Sequence, residues 1–138
     1  MKVSQLMSTP VVTVGMDDRL DEVYRIFSHA HFHHVLVVNG KRLEGIVSDR
    51  DLFKALSPRI GTAMANDRDN ASLNKRVHQI MSRKLVVINQ HQSVLQAVRL
   101  FNANSISCLP VVDDEHQWVG ILSWRDIFKQ IEAVKDKH

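Results

Sequence analysis

The segment GIVSDRD at residues 45–51 returns as GILSWRD at residues 120–126. Each copy begins with a glycine and two aliphatic residues, and a serine, one variable residue, an arginine and an aspartate follow. The apolar start is typical of a strand, and a serine followed by an acid is typical of the beginning of a helix. The segment therefore predicts a strand-to-helix junction, and its two copies indicate a duplicated unit.

The similarity extends through most of the chain. Three pairs of segments align, at an offset of 74 residues that becomes 75 after a one-residue insertion near Gln117. The pairs are 3–14 with 77–88, 21–38 with 95–112, and 44–56 with 119–131. This agreement predicts a tandem duplication. Its parts are repeat 1 at 1–57, a polar linker at 58–76, repeat 2 at 77–134 and a flexible charged tail at 135–138.

Apolar periodicity predicts the same order of elements, β-α-β-β-α, in each repeat. The expected strands are 11–14, 35–38 and 44–47 in repeat 1, and 85–88, 109–112 and 119–122 in repeat 2. The expected helices begin near Asp17 or Asp18 and at Ser48, and again near Ser93 and at Ser123. A repeat of this size leaves one face of its sheet poorly covered. The predicted fold class is therefore α/β (α+β), with the two repeats packed through their sheets in a pseudo-two-fold module.

Composition argues against several classes of protein. The chain of 138 residues is 44% apolar, which is enough for a core without disulfide or metal crosslinks. The single cysteine, Cys108, favours a reducing, cytoplasmic location. We expect neither membrane insertion nor export, because no apolar run has the length of a membrane span or the character of a secretory signal. The net charge of +3 comes from dispersed basic residues, so we expect no nucleic-acid partner.

The repeated segment carries three polar side chains that suit a phosphorylated ligand. They are Ser48, Arg50 and Asp51 in repeat 1, and Ser123, Arg125 and Asp126 in repeat 2. A serine hydroxyl with the N–H groups of a helix start can bind an anion, and arginine suits phosphate. The aspartate lies one helical turn further and can accept hydrogen bonds from a ribose diol. Gly45 and Gly120 would let a ligand or a neighbouring backbone approach closely.

A structural alternative fits the same spacing. A serine followed three residues later by an acid is the pattern of a capping box, in which the two residues satisfy each other's backbone N–H groups. An aspartate in the first turn is also favoured by the helix dipole. Spacing alone leaves helix capping and ligand binding both open.

The order of motifs points to a known family. Met-Ser stands near the start of each repeat, HHVLVV (33–38) or CLPVV (108–112) covers the second strand, and the repeated segment comes last. From Val3 to about Ile131 the chain resembles the CBS domain family, which is named after cystathionine β-synthase. Tandem pairs of this domain are called Bateman modules. The resemblance implies a regulatory module that binds an adenosyl ligand.

The resemblance also implies two binding sites. In the family, the first hydroxyl residue of the motif contacts phosphate, the final aspartate holds the ribose diol, and the base lies against the first two strands. In this chain the first site would comprise Thr13, Val14, His34, Val35, Ser48, Arg50 and Asp51. The second would comprise Val87, Ile88, Cys108, Leu109, Pro110, Ser123, Arg125 and Asp126.

Departures from the family pattern make the two sites unequal. The arginine of each motif stands where the family has a second Ser or Thr, and its charge favours more than one phosphate. Leu36 stands where the family usually has a proline, which Pro110 retains in repeat 2. Trp124 takes the place of Asp49 at the start of the last helix. We therefore expect two sites that are not equivalent.

A histidine cluster offers a different chemistry. It consists of His29, His31, His33 and His34. His31 and His33 would point to the same side of an extended segment and could chelate zinc, but no acid or cysteine nearby completes a site. We therefore expect no metal, and zinc sensing is kept as an alternative. Cys108, at the corresponding place in repeat 2, is expected to be a buried thiol.

These observations predict a stand-alone regulatory CBS pair and not an enzyme, because no nucleophile is paired with an oriented base. The resemblance implies an adenine nucleotide (AMP, ADP or ATP) or another adenosyl ligand, bound in one or both clefts between the repeats. It implies a role such as energy sensing, with no required cofactor. It further implies a homodimer, with contacts from the helices after each motif, and an unidentified protein target. An interaction scaffold with vestigial nucleotide pockets is the alternative.

Overall fold

Two three-stranded sheets with flanking helices organise the computed structural model, which describes residues 1–29 and 33–136. This mixed architecture confirms the predicted α/β (α+β) class. The chain divides into two compact units. The central unit consists of Val12–Lys84, and the terminal unit consists of Met1–Val11 together with the described residues from Leu85 onward.

Both halves of the chain contain the order β-α-β-β-α. The first half of the chain contains α1 (Val3–Leu6), β1 (Thr13–Val14), α2 (Leu20–His29), β2 (His34–Asn39), β3 (Arg42–Ser48), α3 (Asp49–Ala55) and α4 (Asp67–Ala71). The second half contains β4 (Ile88–Asn89), α5 (Val94–Asn104), β5 (Cys108–Val112), β6 (Trp118–Ser123) and α6 (Trp124–Asp136). β1 and β4 are shorter than expected, because each pairs with only two residues of its neighbour.

The two sheets share one topology. In each sheet the first strand runs parallel to the second, and the second runs antiparallel to the third. Both second strands shift register at the same place, after Val37 in β2 and after Val111 in β5. The duplication in sequence is therefore also a duplication of backbone geometry.

Each unit has its own apolar core. In the central unit, Leu20 and Val23 of α2 pack with Val35 and Val47 of the sheet, and all four side chains are fully buried. Their spacing of three residues places Leu20 and Val23 on one face of α2. The buried cluster of the terminal unit consists of Val3, Ile88, Ala97, Leu109, Val111 and Leu122. Each large aliphatic side chain that is fully buried contributes about 1.5–3 kcal/mol relative to an exposed one.

The first residues of each sequence repeat pack in the unit that the other repeat forms. Val3 belongs to the terminal core, and its N–H donates to Gln92 O at 2.8 Å. Val77 belongs to the central core, and its N–H donates to Asp18 O at 2.9 Å. The compact units therefore differ from the sequence repeats at their first residues, because each unit is completed by a segment of the other repeat.

Gly45 and Gly120 make room for these exchanged segments. A Cβ atom on Gly45 would lie 2.8 Å from Ser82 O and 3.0 Å from Met81 Sδ. A Cβ atom on Gly120 would lie 2.6 Å from Met7 Sδ. The close approach expected at both glycines is thus made by neighbouring chain segments, each of which carries the Met-Ser pair that begins a repeat.

Polar contacts order the linker. Asn66 and Asp69 form a reciprocal capping box at the start of α4, and the Ser57 hydroxyl donates to Asp69 Oδ1 at 2.6 Å. The hydrogen bond from Ser57, and after it the bond from the Asn66 backbone, lowers the pKa of the Asp69 carboxyl. The polar linker therefore has structure of its own within the central unit.

The last helix extends into the predicted tail. α6 continues to Asp136, past residue 135, where the tail was expected to begin. Lys135 lies in its last turn, where a positive charge interacts favourably with the helix dipole. In the described part of the chain, no helix is both long enough and apolar enough to cross a membrane.

Candidate functional site

The repeated segment lies where the last strand of each unit meets the last helix. β3 ends at Ser48 and α3 begins one residue later. β6 ends at Ser123 and α6 likewise begins one residue later. Ser48 has an extended backbone and is the N-cap of α3. The helices thus begin directly after the serines rather than at them.

Both junctions contain a reciprocal capping box. Ser48 Oγ accepts a hydrogen bond from the Asp51 N–H at 3.0 Å, and Asp51 Oδ2 accepts one from the Ser48 N–H at 2.9 Å. The Asp126 N–H donates to Ser123 Oγ at 3.3 Å, and Asp126 Oδ2 accepts from the Ser123 N–H at 2.8 Å. The serine and the aspartate therefore cap the helix in both copies, as the structural interpretation of their spacing required.

Capping leaves part of each motif available to a ligand. The boxes use Oδ2 of each aspartate, and within the described residues Oδ1 of Asp51 and Oδ1 of Asp126 accept no hydrogen bond. The Arg50 side chain is exposed and makes no hydrogen bond or ion pair in the same part of the chain. A fixed carboxylate beside an exposed guanidinium can bind a diol together with a phosphate.

The candidate residues of the central unit lie on two faces of its sheet. Strand register places Thr13, His34 and Ser48 on one face, which we call the motif face. Val14 and Val35 project from the opposite face into the core. A ligand at the motif can therefore contact the side chains of the first three residues, but only backbone groups of the two valines.

The candidate residues of the terminal unit likewise lie on two faces of its sheet. Cys108 lies directly opposite Ser123, and Pro110 follows on the same motif face. The side chains of Ile88 and Leu109 belong to the core. Val87, the remaining apolar candidate, comes directly before β4 and is half-buried.

Cys108 is a buried, unpaired thiol within the described chain. Burial raises the pKa of the Cys108 thiol above its usual range, and the nearby Asp126 carboxylate adds to the increase. Because the thiolate is the reactive form of cysteine, this side chain is protonated and unreactive at neutral pH. Its place opposite Ser123 gives it a packing role beside the motif.

The residue after each serine differs between the units. Asp49 Oδ2 lies 2.9 Å from His33 Nδ1 in the central unit. Trp124 occupies the equivalent position in the terminal unit and packs edge-on against Phe128, with ring centroids 5.1 Å apart. The same junction therefore carries a polar histidine–aspartate contact in one unit and an aromatic pair in the other.

The histidine cluster does not form a metal site in the part of the chain that the structure describes. Within those residues, no group of three or more His, Cys, Asp or Glu could hold a metal ion. His33 lies beside Asp49, and His34 begins β2 on the motif face. His31, which the zinc alternative requires, lies outside the described residues.

An open groove beside Thr13 contains residues that the sequence analysis did not connect with the site. It has a volume of about 470 Å³ and is lined by Thr13, Val14, Asp17, Asp18, Arg19, Asp21, Glu22, Arg25 and Arg76. The Arg76 guanidinium donates to Asp17 O at 2.8 Å. Arg76 is a linker residue, and only the folded chain brings it next to the first turns of repeat 1, so no local sequence signal could reveal it.

Comparison with known proteins settles the family. The family model of the CBS domain matches residues 3–58 and 77–133. The chain belongs to the CBS domain family. The two matches correspond to the two aligned repeats, and they confirm the resemblance found in the sequence.

Curated relatives carry this CBS pair in proteins of different lengths. A CBS domain-containing protein of Dictyostelium discoideum is 29% identical over 126 residues, which cover 91% of this chain and 87% of that protein. The inosine-5′-monophosphate dehydrogenase of Methanocaldococcus jannaschii is 29% identical over 140 residues, which cover 99% of this chain but 25% of that enzyme. The M. jannaschii protein MJ1232 is 27% identical, and the chain spans 40% of its length.

Solved structures of CBS proteins have the same fold. The CBS domain pair of protein MJ0100, in complex with 5′-methylthioadenosine and S-adenosyl-L-methionine, has a TM-score of 0.78 at 24% identity, covering 96% of this chain and 97% of that one. The cytosolic domain of the Mg²⁺ channel MgtE, in complex with ATP, has a TM-score of 0.72 at 27% identity, covering 93% of this chain and 48% of that one. The ligands named here belong to those proteins.

Proposed function

We propose that this CBS pair is a regulatory module that binds an adenine nucleotide or a related adenosyl compound and signals its presence to a partner protein or to its own assembly. The observation that carries the proposal is the Ser-x-Arg-Asp motif at both strand-to-helix junctions, with a carboxylate oxygen left over after capping. The adenosyl ligands of the MJ0100 and MgtE structures support it. We propose no catalytic activity, no required cofactor and a cytoplasmic location.

Each part of the motif would hold a different part of the ligand. In the central unit, the exposed Arg50 and the start of α3 would attract phosphate through charge and helix dipole. Asp51 Oδ1 would accept hydrogen bonds from the ribose diol. The base would lie along the motif face, near Thr13 and His34. A nucleotide with several phosphates gains more from the arginine than an uncharged nucleoside does.

Regulation requires a ligand that binds one conformation or assembly state better than another. A ligand with no such preference shifts nothing, however tightly it binds, whereas a preference of about 10⁴-fold reverses a 1:99 equilibrium. Two non-equivalent motifs allow two ligands, or two concentrations of one ligand, to act on the same chain. Energy sensing through competing AMP, ADP and ATP is the regulatory role that we propose.

A thermal-shift screen of the purified chain tests the proposal. The panel contains AMP, ADP, ATP, GTP, S-adenosylmethionine, NAD and zinc. A ligand at about 100 times its dissociation constant stabilises the folded state by about 2.7 kcal/mol, which raises the midpoint by several degrees. We expect an adenine or adenosyl compound to act and zinc to have no effect. Stabilisation by zinc alone would contradict the proposal.

Variants of the aspartates then separate binding from capping. Asp51→Asn and Asp126→Asn keep an oxygen that can accept the capping hydrogen bond but lose the charge, so we expect affinity for the ligand to fall about ten-fold or more. Asp69→Asn is the matched control, because Asp69 forms the same kind of box at α4. The control should bind the ligand normally. A uniform loss in all three variants would indicate a general effect on folding.

An interaction scaffold with vestigial pockets is the second candidate function. The observation that favours it is the use of both motifs for capping, which gives each serine and aspartate a structural role without any ligand. The scaffold predicts that no compound in the screen raises the midpoint of apo protein. It also predicts that Asp51→Asn and Asp126→Asn leave any partner binding unchanged.

We further propose that α6 forms the main contact of a homodimer. Four apolar side chains at helical spacing form a stripe along it: Trp124, Phe128, Ile131 and Val134, which are 40%, 57%, 59% and 44% exposed. At α3 the corresponding stripe is shorter, because Phe53 is exposed but Leu56, which follows the helix, is buried. A contiguous apolar stripe on an otherwise charged helix is typical of an association surface.

Light scattering after size-exclusion chromatography tests the dimer. Phe128→Glu and Ile131→Glu place a charge in the stripe, and we expect each to convert dimer into monomer. Lys129→Glu, an exposed position on the same helix but outside the stripe, is the matched control and should leave the dimer intact. Phe53→Glu should weaken the dimer less than Phe128→Glu. A monomeric wild-type chain at all concentrations would refute the proposal.

A further inference from the structure

The helices that follow the two motifs begin with the same charges except at one position. α3 reads DRDLFKA, and the first seven residues of α6 read WRDIFKQ. The arginine, the second aspartate and the lysine of α3 all have identical counterparts in α6, so the one difference in charge is Asp49 against Trp124. The Ser-x-Arg-Asp motif therefore has a net charge of −1 in the central unit and is neutral in the terminal unit.

The backbone around this position is used in the same way in both units. The Asp49 N–H donates to His33 O at 2.9 Å, and the Trp124 N–H donates to Ser107 O at 3.3 Å. The capping box uses two further N–H groups at each helix start. Because most of these N–H groups are bonded within the chain, a phosphate at either start depends mainly on the charges of nearby side chains.

The Asp49 carboxylate is held at the start of α3. Its Oδ2 lies 2.9 Å from His33 Nδ1, and its side chain is 33% exposed. Side chains of one helical turn lie within the diameter of the helix, about 10–12 Å. Charges at such distances still interact at low ionic strength, because the Debye length is about 10 Å at 0.1 M salt. Asp49 therefore repels phosphate groups bound at Arg50, and each additional phosphate increases the repulsion.

We propose that Asp49 determines the ligand class of the central site, which favours an adenosyl ligand with few phosphates, such as AMP, whereas the terminal site favours ATP. This inference rests on the proposed function. At the central site, Asp49 offsets much of what Arg50 contributes to binding a second and third phosphate. At the terminal site, the uncharged Trp124 offers no such opposition. The two units then respond separately to AMP and to ATP.

Calorimetric titration of the whole chain with AMP and with ATP tests the inference one site at a time. The central site is the stronger site in the Asp126→Asn chain, and the terminal site is the stronger one in the Asp51→Asn chain. The titrations are done at low salt, without divalent metal ions and at pH 8, where an ordinary histidine is neutral. We expect the ratio of ATP affinity to AMP affinity to be about 3- to 10-fold higher at the terminal site. Equal ratios, or a higher ratio at the central site, would overturn the inference.

Substitution of Asp49 tests the charge directly. In the Asp126→Asn chain, Asp49→Asn should raise the ratio of ATP to AMP affinity about 3- to 10-fold, and Asp49→Glu, which keeps the charge, should leave it unchanged. The effect of Asp49→Asn should fade as salt is added, because the Debye length falls to about 3 Å at 1 M. A purely structural role of Asp49 would alter both affinities alike at every salt concentration. An unchanged ratio in a folded Asp49→Asn chain, checked by circular dichroism, contradicts the proposal.

The reciprocal substitution uses the terminal site. Trp124→Asp and Trp124→Asn both remove the aromatic contact with Phe128, but only the first adds a negative charge. In the Asp51→Asn chain, Trp124→Asp should therefore give a lower ratio of ATP to AMP affinity than Trp124→Asn does. The same ratio in both variants would mean that charge at this position does not select the ligand.

Failure of the inference can be told apart from failure of the proposed function. If AMP and ATP bind through Asp51 and Asp126 with one ratio of affinities at both sites, the proposed function stands and the selection by Asp49 is wrong. If no nucleotide or adenosyl compound binds through either aspartate, the proposed function itself fails, and the inference fails with it.

Discussion

The central and terminal units share a capping motif and differ in the residue beside it. Asp49, next to His33, makes the start of α3 polar, whereas Trp124, packed on Phe128, makes the start of α6 apolar. The serine and aspartate of each motif fix the junction, so the residue between them can change without altering the backbone. The two copies can therefore acquire different surfaces while the serine and aspartate of each motif keep one geometry.

The length of the last helix widens this difference. α3 has 7 residues, and α6 has 13. A short helix depends more on its cap, because few internal hydrogen bonds offset the cost of nucleation. A long helix has room for a second function, and the apolar stripe occupies the additional turns of α6. We therefore expect the stability of the central unit to depend more on its capping motif. In the terminal unit, loss of the capping motif should destabilise the longer helix less.

The largest expected difference between the units concerns their glycines. Gly45→Ala places a Cβ atom 2.8 Å from Ser82 O, a backbone atom that cannot move alone, and should destabilise the chain by about 1–3 kcal/mol. Gly120→Ala meets the flexible side chain of Met7 and should cost about 1 kcal/mol or less. Urea unfolding measures both values.

A second substitution makes the test specific. Met7→Ala in the Gly120→Ala background removes the side chain that the new methyl group meets, so the two changes should be less than additive. No truncation of Met81 relieves Gly45→Ala in the same way, because Ser82 O remains. Equal costs for the two glycine substitutions would show that the exchanged segments pack alike in both units.

The caps should show a smaller difference. Ser48→Ala and Ser123→Ala each remove one side of a capping box, a loss of about 0.5–2 kcal/mol. We expect the loss for Ser48→Ala to lie near the upper end of this range, because α3 is short. The hydrogen bond that Ser48 Oγ accepts, at 3.0 Å, is also shorter than the one that Ser123 Oγ accepts, at 3.3 Å. Hydrogen exchange of the first-turn amides measures the local effect. A larger loss at Ser123 would contradict the dependence on helix length.

The sequence was sufficient for the repeats and for the order of elements, because apolar periodicity and the duplicated segment are local signals. It was also sufficient for the capping box, since Ser48 and Asp51 are one helical turn apart. The sequence could not show which side chains of β2 and β5 point to which face of the sheet. Both strands are continuously apolar, so alternation does not reveal that Val35 points into the core while His34 points to the motif face.

Other features depend on contacts between distant parts of the chain. Val3 and Val77 are equivalent apolar residues, and nothing local indicates that each completes the unit of the other repeat. The groove residue Arg76 meets Asp17 only after folding. Leu36 was recognised as the departure between the repeats, but the hydrogen bond that its N–H donates to Val12 O follows only from the strand register.

The smallest expected effect concerns the stability of the central unit in acid. The pKa of Asp69 in the central unit is lowered from 3.8, first by the Ser57 hydroxyl. A lowered pKa means that the contribution of Asp69 to stability is present above pH 3.8 and is lost as the pH falls through the folded-state value. We expect the difference in unfolding free energy between wild type and Asp69→Asn to shrink between pH 6 and pH 3. A constant difference for Asp69→Asn across this range would mean that the linker box does not respond to acid.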